Sequence, residues 1–241
     1  MFKRAAVSAA LVLSGAGAIV GAAGAAAHAA TPQANLSVPN ITITSMNDVK
    51  VWGTLTNPSV LGTWGTAVWN MQRGRNYASV GDWYVYNVTT GNHTTAYAQA
   101  FTPGVDPLGT YYAYPNSATS VDSNFTQTDI AQNTVTFYIR EGSKIGLAVS
   151  RSGTTLTFRA TASYYNDSLN HGTQGAWQHR PNVYLDIQYL SGKTWKTHAV
   201  VSSGKTGTVT IKMTVPAVNT WRVAVGGTST IWNATSATVK K

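Results

Sequence analysis

From about residue 144 onward the chain alternates apolar and polar residues with a period of two. Leu156, Phe158, Ala160 and Ala162 alternate with Thr157, Arg159 and Thr161, and Val183, Leu185, Ile187 and Tyr189 alternate with Tyr184, Asp186 and Gln188. Val209, Ile211, Met213 and Val215 repeat the pattern against Thr208, Thr210, Lys212 and Thr214, as Trp221, Val223 and Val225 do against Arg222 and Ala224. Successive side chains of a strand point to opposite faces, so each run predicts a strand with one buried face. Shorter strands are predicted over residues 144–149, 195–201 and 235–239, with turns at Ser152-Gly, Ser191-Gly-Lys and Ser203-Gly-Lys. Short strands at this density predict an antiparallel β-sandwich of immunoglobulin-like type.

The first half is less regular. Strands are expected at residues 41–45, 49–55, 67–71, 83–88, 96–101, 111–114 and 135–139. A weak internal repeat links the halves: Val105-Asp-Pro-Leu-Gly-Thr-Tyr-Tyr-Ala-Tyr aligns with Val215-Pro-Ala-Val-Asn-Thr-Trp-Arg-Val-Ala. In each half this predicts a penultimate strand entered through a tight corner, with Tyr111 or Trp221 buried beside it. Two tandem sandwiches follow: a divergent one over residues 30–139 and an immunoglobulin-like one over 144–241, joined by a short polar hinge at 140–143.

Ahead of them, Lys3 and Arg4 precede an apolar, Ala- and Gly-rich stretch ending in Ala27-His28-Ala29, the small-x-small pattern of a secretory cleavage site. Residues 1–29 are therefore expected to be a signal peptide and the product to be extracellular, with no transmembrane segment left after its removal. Cysteine is absent, which excludes disulfides, thiolate metal sites and a cysteine nucleophile. Lys and Arg number 17 against 8 Asp and Glu. Without Lys3 and Arg4 that becomes 15 against 8, a net charge of +7 that favours anionic surroundings without defining a site.

The segments Val135-Thr-Phe-Tyr-Ile-Arg, Lys144-Ile-Gly-Leu, Gly153-Thr-Thr-Leu-Thr-Phe, Pro181-Asn-Val-Tyr-Leu-Asp-Ile-Gln-Tyr, Trp195-Lys-Thr and Thr220-Trp-Arg-Val-Ala-Val-Gly-Gly come in a telling order. In that order they resemble the immunoglobulin-like modules of secreted actinobacterial proteins of unassigned function. The resemblance covers most of residues 135–241. It implies a β-sandwich, an extracellular setting and a more divergent β domain upstream, and it supplies no catalytic residues.

Candidate chemistry is sparse. Glycan hydrolysis needs two carboxylates flanking the bond, and the chain has one glutamate, Glu141, in the expected hinge. Asp82, Asp106, Asp122, Asp129 and Asp167 sit in turn-like contexts that predict capping roles, while Asp186 is mid-strand and is expected to pair with Arg222 across neighbouring strands. His93, His171, His179 and His198 lack metal-ligand spacing, so no metal and no cofactor is expected.

Aromatics and cations remain. Trp52, Trp69, Trp83 and Trp221 are expected in cores, whereas Trp64, Trp177 and Trp232, with Tyr164 and Tyr165, are expected in loops where they could stack on sugar rings. Arg159 and Lys212 are expected to point outward from neighbouring strands, with Arg151, Lys193, Lys196 and Lys205 at nearby turns. Such a stripe suits an anionic cell-wall polymer or guards a sheet edge. No nucleic-acid motif accompanies it. The functional expectation is a non-enzymatic binding or structural protein at or near the cell envelope. The alternatives are a carbohydrate-binding module using loop aromatics and an unrecognised extracellular hydrolase.

Overall fold

Four large indole and phenyl groups set the positions of the strands. Trp69, Trp83 and Phe137 are fully buried in one hydrophobic cluster with Ile43, Val51 and Leu55, while Trp221 is 1% exposed in a second with Phe158, Leu185 and Ile187. The computed structural model describes residues 32–74, 79–88, 91–169 and 173–241, whose regular elements are strands apart from one short 3-10 turn at Pro58–Leu61. The expected signal peptide at 1–29 and His171 lie outside the described residues.

Around the first cluster, one sheet runs in the order Ile41–Ile43, Val135–Glu141, Gly109–Val121, Thr66–Arg73, Ser79–Val88 and Gly91–His93, with Gln127–Asp129 alongside Gly109–Val121. The strands Leu36–Ser37, Val49–Leu55 and Thr95–Phe101 form the sheet that packs against it. The second cluster lies between a sheet of Ser143–Ser152, Thr155–Leu169, Gln174–His179 and Thr208–Thr214 and another of Thr194–Ser202, Tyr184–Ser191, Thr220–Val225, Ala234–Thr235 and Val239–Lys240. The chain is an all-β protein whose sheets pack face to face as sandwiches. Pairing between its strands is antiparallel except where Ile139 pairs parallel with Ile41 and Gln33 with Ala131, and single parallel bridges join Gly62 to Val121 and Glu141 to Ile231.

Both corner residues of the internal repeat are buried near the start of a strand. Tyr111, 3% exposed, donates its hydroxyl to the Pro107 carbonyl four residues upstream and stacks on Phe137 at 5.7 Å. Burial and the nearby Asp106 carboxylate push its phenol up to about 12. Trp221 packs edge-on to Phe158 at 5.0 Å. Its indole N–H has no hydrogen-bond partner, whereas those of Trp69 and Trp83 donate to the Asn133 and Val51 carbonyls.

Several expectations are corrected. Trp52 is 44% exposed, because Val51 and Leu55 take the inward face of its strand and leave it outward with Lys50 and Thr54. The gap beside it is functional in packing: a Cβ on Gly53 would sit 2.8 Å from the Trp83 ring. Gly53→Ala is accordingly expected to cost about 1–2 kcal/mol by overpacking, measurable by denaturant unfolding. Tyr164, Tyr165 and Trp177 are strand residues, not loop residues. The strands of Asp186 and Arg222 do pair, but their register sets Arg222 opposite Gln188 and Asp186 opposite Ala224. Arg222 therefore donates Nε to Gln188 Oε1 at 2.8 Å and lies over the Trp195 ring. The expected strand at 235–239 is split, because the Ser236 hydroxyl replaces a ladder carbonyl in accepting the Val223 N–H at 2.9 Å.

Residues 140–143 do not form a free polar spacer. Arg140 and Glu141 end one strand, Ser143 begins the next, and Gly142 between them donates to the Ile43 carbonyl and accepts from Tyr165 N–H.

Candidate binding surface

Alternation on the Gly109–Val121 strand buries Tyr111 and Ala113 and turns Tyr112 and Tyr114 to the opposite, outer face of the large sheet. There the two rings stack at 5.5 Å with planes 22° apart. Next to them, Thr66–Arg73 buries Ala67, Trp69 and Met71 and presents Val68, Asn70 and Gln72 outward. Ser79–Val88 follows suit, burying Trp83 and Val85 and presenting Asp82, Tyr84 and Tyr86. Register aligns Tyr114, Asn70 and Asp82 in one row across the three strands. Asn70 Nδ2 donates to Asp82 Oδ1, which also accepts the Ser79 hydroxyl at 3.2 Å. Asp82 is thus a mid-strand residue that fixes an amide among tyrosines, not the turn cap expected of it.

On the far side of Gly109–Val121, the Val135–Glu141 strand adds exposed Thr136, opposite Tyr112, and half-buried Tyr138, whose ring lies 4.2 Å from the Arg140 guanidinium carbon. The outer face therefore carries tyrosines from three of four consecutive strands, with the amides of the fourth, Thr66–Arg73, set between them. The eight residues of Thr66–Arg73 alone make it roughly 25 Å long. None of these tyrosines is among the loop aromatics expected from the sequence. Their signal was available in the period-two parity of Tyr111-Tyr-Ala-Tyr and Phe137-Tyr-Ile.

The tryptophans nominated from sequence have separate placements. Trp64 is 37% exposed and stacks on Phe125 at 6.2 Å, with its backbone bonded to Val121 at the end of the same large sheet. Phe125 is itself 71% exposed and held at φ 62°, a left-handed conformation costly for an aromatic residue. Asp122, a turn cap as expected, fixes that tip by accepting from Asn124 and Thr126 N–H. Trp177 is 39% exposed, edge-on to buried Tyr165, with the Lys144 ammonium 3.8 Å above its ring. Trp232 donates its indole N–H to Ile41 O at 3.1 Å and carries Arg140 over its face at 4.6 Å. One face of each of these last two rings is already covered by a cation.

Arg159 and Lys212 are exposed on paired strands, Arg159 opposite Thr210 and Lys212 opposite Thr157. Arg151 is drawn out of the stripe: its guanidinium donates to the Val215, Ala217 and Gly153 carbonyls. Lys196 lies within Thr194–Ser202 of the other sheet and not at a turn.

The two acidic groups that come together are Glu141 and Asp167, 6% and 1% exposed. Asp167 was expected in a turn, yet it lies in Thr155–Leu169, where its N–H donates to Glu141 Oε1 at 3.2 Å and its own carboxylate accepts from Gly104 N–H and the Ser168 hydroxyl. Burial, together with the Asp167 charge, raises Glu141 to about 7, against the opposing pull of the Asp167 N–H. Closed off from solvent, this pair joins strands and offers no substrate access. Among the described residues no cluster of three or more His, Asp or Glu side chains could hold a metal ion, and no helix is long and apolar enough to cross a membrane.

No family model matches the chain, and the search of curated proteins returns no match. Among solved structures it is similar to the D00-D0 domain of intimin, at 15% identity over 86% of this chain and 98% of that one, with a TM-score of 0.28. The human OSCAR ligand-binding domain is 8% identical over 88% of this chain and 99% of that one, TM-score 0.29. A tetra-tandem repeat from the extending region of a large adhesion protein is 10% identical over 86% of this chain and 48% of that one, TM-score 0.29. At such scores the fold description rests on the chain's own strands.

Proposed function

We propose that the chain is a secreted, non-enzymatic binding protein of the cell envelope, built as two tandem sandwich domains, whose ligand is a polysaccharide laid across the tyrosine face. The observation that carries this reading is the outward stack of Tyr112 on Tyr114, in register with the Asn70–Asp82 pair. Phenol rings offer apolar faces to the C–H faces of sugars, and the amides between them suit hydroxyl groups. A side chain bonded in place, like Asn70, loses little further freedom on binding, which favours affinity. Trp64, stacked on a strained and exposed Phe125, extends the aromatic surface at the end of the same sheet. Because Glu141 and Asp167 are buried, they do not support a hydrolase.

Retention of the protein on a panel of insoluble polysaccharides tests the reading. The double variant Tyr112→Ala/Tyr114→Ala should bind at least tenfold more weakly, about 1.4 kcal/mol, with its melting temperature little changed because both rings lie on the outer face. Wild-type retention by that variant would remove the tyrosine face from consideration.

A second contact is supported by the exposed, adjacent Arg159 and Lys212. Their attraction to an anionic wall polymer should be screened within a Debye length of about 8 Å at physiological salt. Binding to such a polymer that persists unchanged in high salt would count against a part for these two residues.

A further inference from the structure

Between Gln174–His179 and Tyr184–Ser191 the chain turns Arg180 into the interior, where it is 6% exposed. The turn is tightly fastened. Arg180 N–H donates to Ala162 O at 2.8 Å, and the buried Ser203 hydroxyl donates to Arg180 O at 3.1 Å while accepting Val183 N–H at 3.2 Å. Asn182 donates its N–H to Gly204 O and takes a φ of 55°, which a short amide side chain tolerates. So anchored, the guanidinium reaches across to the end of Thr220–Val225, where Nη1 donates to Gly226 O at 2.8 Å.

That is the one side-chain hydrogen bond of Arg180 among the described residues, and no carboxylate forms an ion pair with it. A guanidinium carries five N–H donors. Leaving a desolvated cation without a counter-charge is unfavourable. Burial accordingly pulls the Arg180 pKa down, with Tyr164 opposing. The same residue lines a solvent-open cleft of about 290 Å³ with Asn182, Val183, Tyr184, Gly226 and Gly227. Gly227 is required there, since a Cβ would meet Asn233 N and Ile231 O at 2.9 Å, and its absence leaves the cleft wall as bare backbone.

We propose that this cleft binds a single oxyanion, the carboxylate of a uronic acid or a phosphate group, held by the remaining donors of Arg180 beside Asn182 and the Gly226–Gly227 backbone. A planar fork of donors matches either group in a bidentate manner. The ligand supplies the charge that the fold withholds. This site belongs to the second hydrophobic cluster and stands or falls independently of the tyrosine face.

Amide shifts of Gly226 and Gly227 in the isotope-labelled protein, followed through titrations with inorganic phosphate, galacturonate and chloride at matched ionic strength, test it. Saturable shifts with phosphate, galacturonate or both are expected, and none with chloride. A response to phosphate alone identifies phosphodiester polymers or free phosphate as the source, and one to galacturonate alone identifies acidic polysaccharide. Arg180→Met, which keeps the length of the side chain without its charge, should weaken the response at least tenfold. Should that variant not fold, Asn182→Asp, which tolerates the same backbone conformation and places a fixed carboxylate at the cleft, should weaken it likewise. Shifts that never saturate, that appear equally with chloride, or that survive unchanged in the variants overturn the proposal.

Discussion

Replacing Glu141 by Gln is expected to flatten the pH dependence of stability between about pH 4.5 and 7 and to leave the variant more stable than the parent at about pH 8. The argument starts from the geometry. Glu141 is 6% exposed, accepts Asp167 N–H, and feels the charge of the Asp167 carboxylate. Protonation removes from Glu141 the charge that burial and the Asp167 carboxylate both disfavour. Its folded pKa of about 7 lies above the ordinary 4.5, so the folded state holds the proton more tightly than the unfolded chain. Stability from this group is therefore full below about 4.5 and is lost as pH rises through about 7. The span corresponds to about 3 kcal/mol, or roughly 6–12 °C in melting temperature for a chain of this size. Gln is uncharged at every pH and keeps an acceptor for the Asp167 N–H. Parallel melting curves for parent and variant would refute the linkage.

How much of this was legible in the residues differs between the halves. In the second, strict alternation around Leu156, Leu185, Ile211 and Val223 places strands to within a few residues, because each buries one face only. Register was not legible. One two-residue step separates the expected Asp186–Arg222 pair from the observed Gln188–Arg222 pair, and sequence period alone does not distinguish them. Trp52 illustrates a legible signal outweighed by residue type: its parity with Lys50 and Thr54 marks it as outward, while the size of an indole favours the core.

The candidate surface was hidden for a related reason. Tyr112, Tyr114 and Tyr138 look like core aromatics until their neighbours Tyr111, Ala113, Phe137 and Ile139 are seen to occupy the interior. Contacts distant in sequence were beyond reach altogether. Nothing local signals that Trp232 bonds Ile41, or that Asp167 meets both Gly104 and Glu141. Nothing in the sequence marks Arg180, because its missing partner is a property of the folded interior.

Trp221→Ala should produce the largest loss of stability, about 3–5 kcal/mol, by emptying the space between Phe158, Tyr189 and His198. The loss is moderated slightly because the indole N–H is already unpaired, so no hydrogen bond is forfeited with it. The more informative expectation concerns its reach. Two hydrophobic clusters exist, but Tyr165 of the Thr155–Leu169 strand is buried in the first, and bonds from Glu141, Gly142 and Trp232 tie strands of both. Damage to the second cluster should therefore be felt in the first. Hydrogen exchange is expected to accelerate in peptides covering Thr66–Arg73 as well as in those covering Thr155–Leu169, with one unfolding transition. If only the second half exchanges faster and two transitions appear, the tandem domains unfold separately, and the buried Glu141–Asp167 junction contributes local packing without coupling the two cores.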